Sequence, residues 1–164
     1  MIDKEKPQLF IFHLNKSGPE LTCGTNLNDF KSFEIMRLAT FYYLAIGQGQ
    51  SWNYGLYELP VPENANKHSY VYAFEVLDPD NEDPRYQGKN YCLLILMFPK
   101  RLRNALPHPS ILERKIREYL IPYKHLDQVK NVKILHSLLD ILIPPEEERE
   151  KIKGVNIAPS IFFI

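Results

Sequence analysis

The chain has 164 residues, 45% hydrophobic and 24% charged, and its 20 basic and 20 acidic side chains cancel. Those proportions describe one folded domain with a sizeable core, and the lack of any Lys/Arg-rich block excludes the basic footprint of a nucleic-acid binder. The amino-terminal MIDKEKPQLF has no long apolar core of a secretory signal, and the longest apolar run, Tyr91–Pro99, falls far short of the ~18 residues that cross a bilayer.

In chain order, Gln8–Asn15 alternates as a strand with Leu9, Ile11 and His13 on one face and Phe10, Phe12 and Leu14 on the other. Apolar residues on both faces place it inside a sheet. Lys16-Ser17-Gly18-Pro19 is turn chemistry, and Glu20–Thr25 returns as a second strand. Asn28–Gly47 follows as a helix, with Asn26 or Asn28 as its N-cap and Gly47 and Gly49 at its end. At ~100° per residue, Ile35, Leu38, Ala39, Tyr42 and Ile46 share one side. Phe33, Met36 and Tyr43 fall roughly opposite, with Phe30, Phe41 and Leu44 on a flank between. Such a helix is expected to be covered on more than one side.

Three strand candidates come next. Trp52–Leu59 is aromatic-rich, carries Gly55 and is closed by Pro60 and Pro62, which suits a sheet edge. Ser69–Leu77 follows, then the polar loop Asp78–Asn90, then Tyr91–Phe98, apolar on both faces and therefore central. Ser110-Ile111-Leu112-Glu113 matches a capping box. It opens a helix whose stripe is Leu112, Ile116, Tyr119, Leu120 and Tyr123, and Pro122 stops it near Leu120. A second late helix spans Val132–Ile143 on Leu135, Leu138, Leu139 and Leu142, ended by Pro144-Pro145. Glu146–Lys153 reads as a short polar helix and Ile157–Ile164 as a hydrophobic tail.

The expected fold is therefore α+β: a five-stranded antiparallel sheet in chain order β-β-α-β-β-β-α-α, one helix on one face and two on the other. Residues 1–143 form this domain and 144–164 a tail that packs on it or on a partner. The element order over about 8–143 resembles the longin domain, a relative of the roadblock family. Phe12-His13 followed by Gly18-Pro19 is similar to the FHPxxGP hairpin of folliculin-like and DENN-type longin domains. Leu14 stands in place of that proline, and one extra residue precedes the Gly-Pro pair. The resemblance implies a protein-binding platform in vesicle trafficking or small Ras-like GTPase regulation, pairing through its first helix and the neighbouring edge strand. By position that surface comprises Phe33, Met36, Tyr43, Trp52, Tyr54 and Tyr57. The SNARE heptads and membrane anchor of the longin SNAREs are absent from the sequence, which argues against that branch.

No motif for catalysis emerges. Gly88-Lys89-Asn90 lacks the Ser/Thr of a P-loop, and Asp83 stands where that motif needs Gly. Asp78, Asp80 and Glu82 have calcium-loop spacing, but Asp83 replaces the turn glycine, leaving a solvated loop with adventitious cation binding as its rival. His136, Ser137 and Asp140 share a helix without a nucleophile–base–orienter geometry. His13 reads as a packed strand histidine rather than a ligand, and the five histidines show no metal spacing. Cys23 and Cys92, with no CxxC spacing, read as buried free thiols in a reducing compartment.

Ten tyrosines and nine phenylalanines are core by default. On the edge strand, Trp52, Tyr54 and Tyr57 divide between interface, core and small-ligand contact. The Ile161-Phe162-Phe163-Ile164 tail docks on its own domain, engages a partner or its copy in a dimer, or forms a disordered or membrane-touching end. Phe162 and Phe163 therefore join the candidate protein interface. The expected protein is a cytoplasmic, non-enzymatic module without cofactor, metal, nucleic acid or transmembrane segment, forming a homo- or heterodimer; peripheral membrane contact stays open. The alternative is a small-molecule sensor of PAS, GAF or profilin-like architecture, which needs a hollow between helix and sheet.

Overall fold

Two strands with apolar side chains on both faces hold the middle of the sheet. The structure, a computed structural model, describes residues 6–25, 32–47 and 53–143, and of 32 and 33 the backbone alone. β1 (Gln8–Asn15) pairs with β5 (Lys89–Pro99), β2 (Gly18–Gly24) flanks β1, β4 (Lys67–Leu77) flanks β5, and β3 (Gly55–Pro60) lies outside β4. The order is β2-β1-β5-β4-β3, and every neighbouring pair is antiparallel.

Side-chain alternation divides the core into two layers. Leu9, Ile11, Tyr70, Tyr72, Phe74, Val76, Leu94, Leu96 and Phe98 face helices α2 (Pro109–Leu120) and α3 (Val132–Leu142). Phe10, Phe12, Leu14, Val71, Ala73, Leu93, Ile95 and Met97 face helix α1 (Ser32–Ile46). One helix on one face and two on the other is the expected arrangement. The expected tail, 144–164, and the α1 caps at Asn26 or Asn28 lie outside the described residues.

Local chemistry explains where the later elements begin and end. Ser110 is not the N-cap of α2: the cap lies two residues earlier, at His108, Pro109 is the first helical residue, and the His108 ring accepts the Ser110 N–H. Proline at the first helical position has no N–H to leave unsatisfied and a φ already suited to the helix. Asn131 caps α3 by accepting the Lys133 N–H at 3.0 Å. Two 3₁₀ turns, Lys100–Ala105 and Leu126–Lys130, were not expected from the sequence. In the second, Leu126 and Val129 are both buried, as the three-residue repeat of a 3₁₀ turn allows.

The β1–β5 ladder opens after Phe12↔Leu93, and side chains take over the missing rungs. Buried Asn90 accepts the Leu14 N–H at 2.9 Å and donates to the Leu14 carbonyl at 2.8 Å, copying a main-chain pair. The Tyr43 hydroxyl donates to the Tyr91 carbonyl at 2.8 Å and lies 3.2 Å from the Phe12 carbonyl. Tyr43 is therefore fully buried, which corrects its expected place on the outer side of the helix. Its hydroxyl is drawn inward because buried carbonyls are costly to leave unpaired.

Candidate interaction surfaces

Helix α1 lays Ile35, Leu38, Ala39, Tyr42, Tyr43 and Ile46 into the sheet, all buried. The opposite side carries Glu34, Arg37 and Thr40 and then turns apolar at Phe41, Leu44 and Ala45, all exposed. Leu44 is 75% exposed and Phe41 41%. Single exposed apolar residues are unremarkable on a protein surface. These three, however, are adjacent on the last turns of one helix.

This helix end is tied to edge strand β3. The Tyr42 hydroxyl donates to the Pro60 carbonyl at 2.9 Å, and Asn53 Nδ2 donates to the Ile46 carbonyl at 3.1 Å. Tyr57 packs half-buried on the α1 side of the sheet, its hydroxyl donating to the Asn53 carbonyl at 3.1 Å. Met36 is likewise half-buried against that core layer. Tyr54, 56% exposed, donates its hydroxyl to Glu75 Oε2 at 2.6 Å. Gly55, at φ +119°, supplies the bend between Tyr54 and the strand, a conformation that other residues adopt only with strain.

Of the expected surface, then, Tyr54 is exposed, Met36 and Tyr57 are half-covered, and Tyr43 is internal. Trp52, Phe162, Phe163 and the Phe33 side chain lie outside the described residues. Phe41 and Leu44, assigned to a flank, are with Ala45 the exposed apolar positions among the described side chains of α1. The polar residues Glu34, Arg37 and Thr40 carried the signal for them, because residues three and four apart share a helix side.

The remaining candidates resolve into structural roles. His13 sits between Thr22 Oγ1 at 2.6 Å and the Glu20 carboxylate at 3.3 Å. Burial holds its pKa below the usual value against the opposing pull of Glu20. Asp83 is tied up by Arg85 at 2.6 Å, and Asp78 accepts from Asn90 Nδ2 at 3.0 Å. Among the described residues no cluster of His, Cys, Asp and Glu could hold a metal ion. His136, Ser137 and Asp140 are all exposed on α3. Cys23 and Cys92 are buried free thiols. Cys23 donates to the Val129 carbonyl at 3.1 Å, and burial pushes its pKa up to about 12.

A cleft of about 190 Å³ opens between the start of α1 and the β3–β4 turn. Phe10, Ile35, Leu38, Val61 and Met97 line it, and Arg37 Nη1 donates to both Glu63 carboxylate oxygens, at 3.0 and 2.9 Å, across its polar rim. Glu63 is held at φ +64° there. No helix among the described residues is long and apolar enough to cross a membrane. Compared with known proteins, the chain matches no family model, and no curated protein sequence matches it significantly.

Proposed function

We propose that the chain is a non-enzymatic interaction module of longin type that dimerises through the outer face of α1 and the β3 edge. In that role it binds or regulates a small Ras-like GTPase or a vesicle-trafficking complex. The observation that carries the reading is the apolar patch Phe41, Leu44 and Ala45 on the helix that is tied to β3. The element order and the division of helices between the two faces agree with the longin resemblance. Pairing through this surface would cover Leu44 and Tyr54 and extend the sheet beyond β3, the outermost strand on that side among the described residues.

Leu44→Glu and Tyr54→Glu test it, because both side chains are exposed and neither supports the core. Light scattering behind size exclusion is expected to show a dimer for the unmodified chain and monomers for the variants, with unchanged thermal melting. A monomeric unmodified chain at high concentration removes the homodimer. Titration with small Ras-like GTPases in both nucleotide states then decides the second half, and binding to none of them removes it.

The small-molecule alternative rests on the cleft beside α1. Its volume of about 190 Å³ is below the ~300–1,000 Å³ usual for ligand pockets. Fully buried Tyr42 and Phe12 fill the space between helix and sheet where a sensor would be hollow. The interaction reading therefore stands first.

A further inference from the structure

On the opposite side of the sheet from α1, a groove of about 330 Å³ runs between the end of α2 and the edge of β4. Its floor is the stacked pair Tyr72 and Phe74 with Val76 and Leu120, and Ile121, 62% exposed, stands at its lip. Its rim carries Lys89, Arg117 and Lys124 against a single carboxylate, Glu75. That carboxylate is already engaged by the Tyr54 hydroxyl at 2.6 Å and by Lys89 at 3.3 Å. Arg117 and Lys124 are exposed and make no ion pair among the described residues. The groove is greasy below and positive above.

Among the described residues, the strand edge beside it has a missing rung. β3 covers β4 only as far as Gly55↔Ala73, and further along the Leu77 N–H bonds the Lys124 carbonyl at 2.7 Å. Main-chain groups of a strand alternate in direction every residue. Leu77 points away from β5, so Glu75 does too, towards the side that β3 has vacated. Between those two covered points, the Glu75 N–H and C=O face the groove.

We infer that this groove receives an extended, acidic peptide segment of a protein partner, with one apolar or aromatic side chain seated on Tyr72 and Phe74. Its main chain would bond both Glu75 groups as an added strand does, and its carboxylates would meet Arg117 and Lys124. A fatty acid would satisfy the floor and the cations but would leave the Glu75 rung open. The backbone geometry therefore favours a peptide. The groove does not include Phe41 or Leu44, but Tyr54 of the dimer surface bonds Glu75, so Leu44→Glu is the variant that tests the dimer without touching this site.

The experiment is a selection from a random twelve-residue phage-displayed library on the full chain, with the Arg117→Glu/Lys124→Glu double variant as counter-target. Both substitutions are on exposed side chains, and unchanged melting verifies the fold. Expected is a consensus of Asp or Glu flanking an aromatic or aliphatic residue. The synthetic consensus peptide should bind the double variant at least tenfold more weakly, and in ¹⁵N spectra it should shift the Glu75 amide together with residues 117–124. A copy of the peptide with N-methylated amides should lose most of its affinity. The proposal is overturned if no sequence is enriched, if the selected peptides are basic or bind the double variant equally, or if Glu75 does not respond. Binding of oleate at residues 117–124 that the peptide cannot displace reassigns the groove to lipid and equally overturns it.

Discussion

The Tyr43 hydroxyl offers a sharp test of how the sheet is held together. Removing it in Tyr43→Phe deletes one oxygen from a fully buried site and leaves the ring in place. The Tyr91 carbonyl loses its donor at 2.8 Å, and the Phe12 carbonyl loses its contact at 3.2 Å. A buried acceptor deprived of its partner costs about 1–3 kcal/mol. In a domain of this size that corresponds to a fall in melting temperature of roughly 4–8 °C for a 2 kcal/mol loss. Tyr43→Glu should be worse by several kcal/mol, since it buries a carboxylate without a cationic partner. Leu44→Glu, one position along and 75% exposed, should change stability by no more than about 0.5 kcal/mol. Urea unfolding followed by circular dichroism gives all three values. Equal stabilities for Tyr43→Phe and the unmodified chain would refute the assignment of the hydroxyl as the closure of the β1–β5 ladder. A folded but monomeric Tyr43→Glu would place the residue on the surface after all.

Further outcomes follow from the same geometry. Asn90→Ala strips both main-chain groups of Leu14 of their partners and should cost about 2–4 kcal/mol. Amide exchange at Leu14 should accelerate first, and protection there equal to the unmodified chain would contradict the role given to Asn90. Burial raises the Tyr42 pKa from 10.0 to about 12, so the folded state holds its proton more tightly than the unfolded chain. This contribution is intact below pH 10 and is lost as pH rises towards 12, up to roughly 3 kcal/mol. Comparing unmodified and Tyr42→Phe chains between pH 8 and 12 should show the variant with the flatter decline, and parallel profiles would count against it. Cys23 and Cys92, both buried, with pKa values raised by desolvation, should resist a disulfide reagent at pH 8 until the chain unfolds. Rapid labelling of either in the native state would contradict their burial.

Much of the fold was legible because its strands carry two kinds of apolar pattern. Gln8–Asn15 and Tyr91–Phe98 are apolar on both faces, and only central positions satisfy that pattern. The segment Trp52–Leu59, closed by Pro60 and Pro62, suited an edge better than a centre, and its strand, Gly55–Pro60, is the outermost one beside β4. The division of the helices between the two faces of the sheet followed from those constraints. The His108 cap was hidden by a competing signal: Ser110 and Glu113 have capping-box spacing, but Pro109 suits the first helical position better and moves the start back by two residues. The short 3₁₀ turns left no signal, since a five-residue segment has too few repeats to display a period. The open rung at Glu75 was also invisible, because it exists only where β3 stops and the segment after α2 begins.

The phase of α1 was the hardest feature to read. Periodicity fixes which way a helix faces only when polar and apolar residues alternate around it. Here Tyr42, Tyr43, Phe41 and Leu44 occupy four different directions with similar hydrophobicity, so neither the period nor composition ranks them. What ranks them is a hydrogen bond. Tyr42 and Tyr43 carry hydroxyls that reach the carbonyls of Pro60 and Tyr91, whereas Phe41 and Leu44 have nothing to offer the carbonyls left by the ends of β3 and of the β1–β5 ladder. A tyrosine is therefore a better candidate for the inward side of such a helix than its polarity suggests, wherever the underlying sheet leaves acceptors unpaired. The polar triplet Glu34, Arg37 and Thr40 points the same way, because extending its side of the helix by one turn arrives at Phe41 and Leu44. The apolar residues that continue a polar stripe, and not those opposite the core pattern, are the ones this fold leaves exposed.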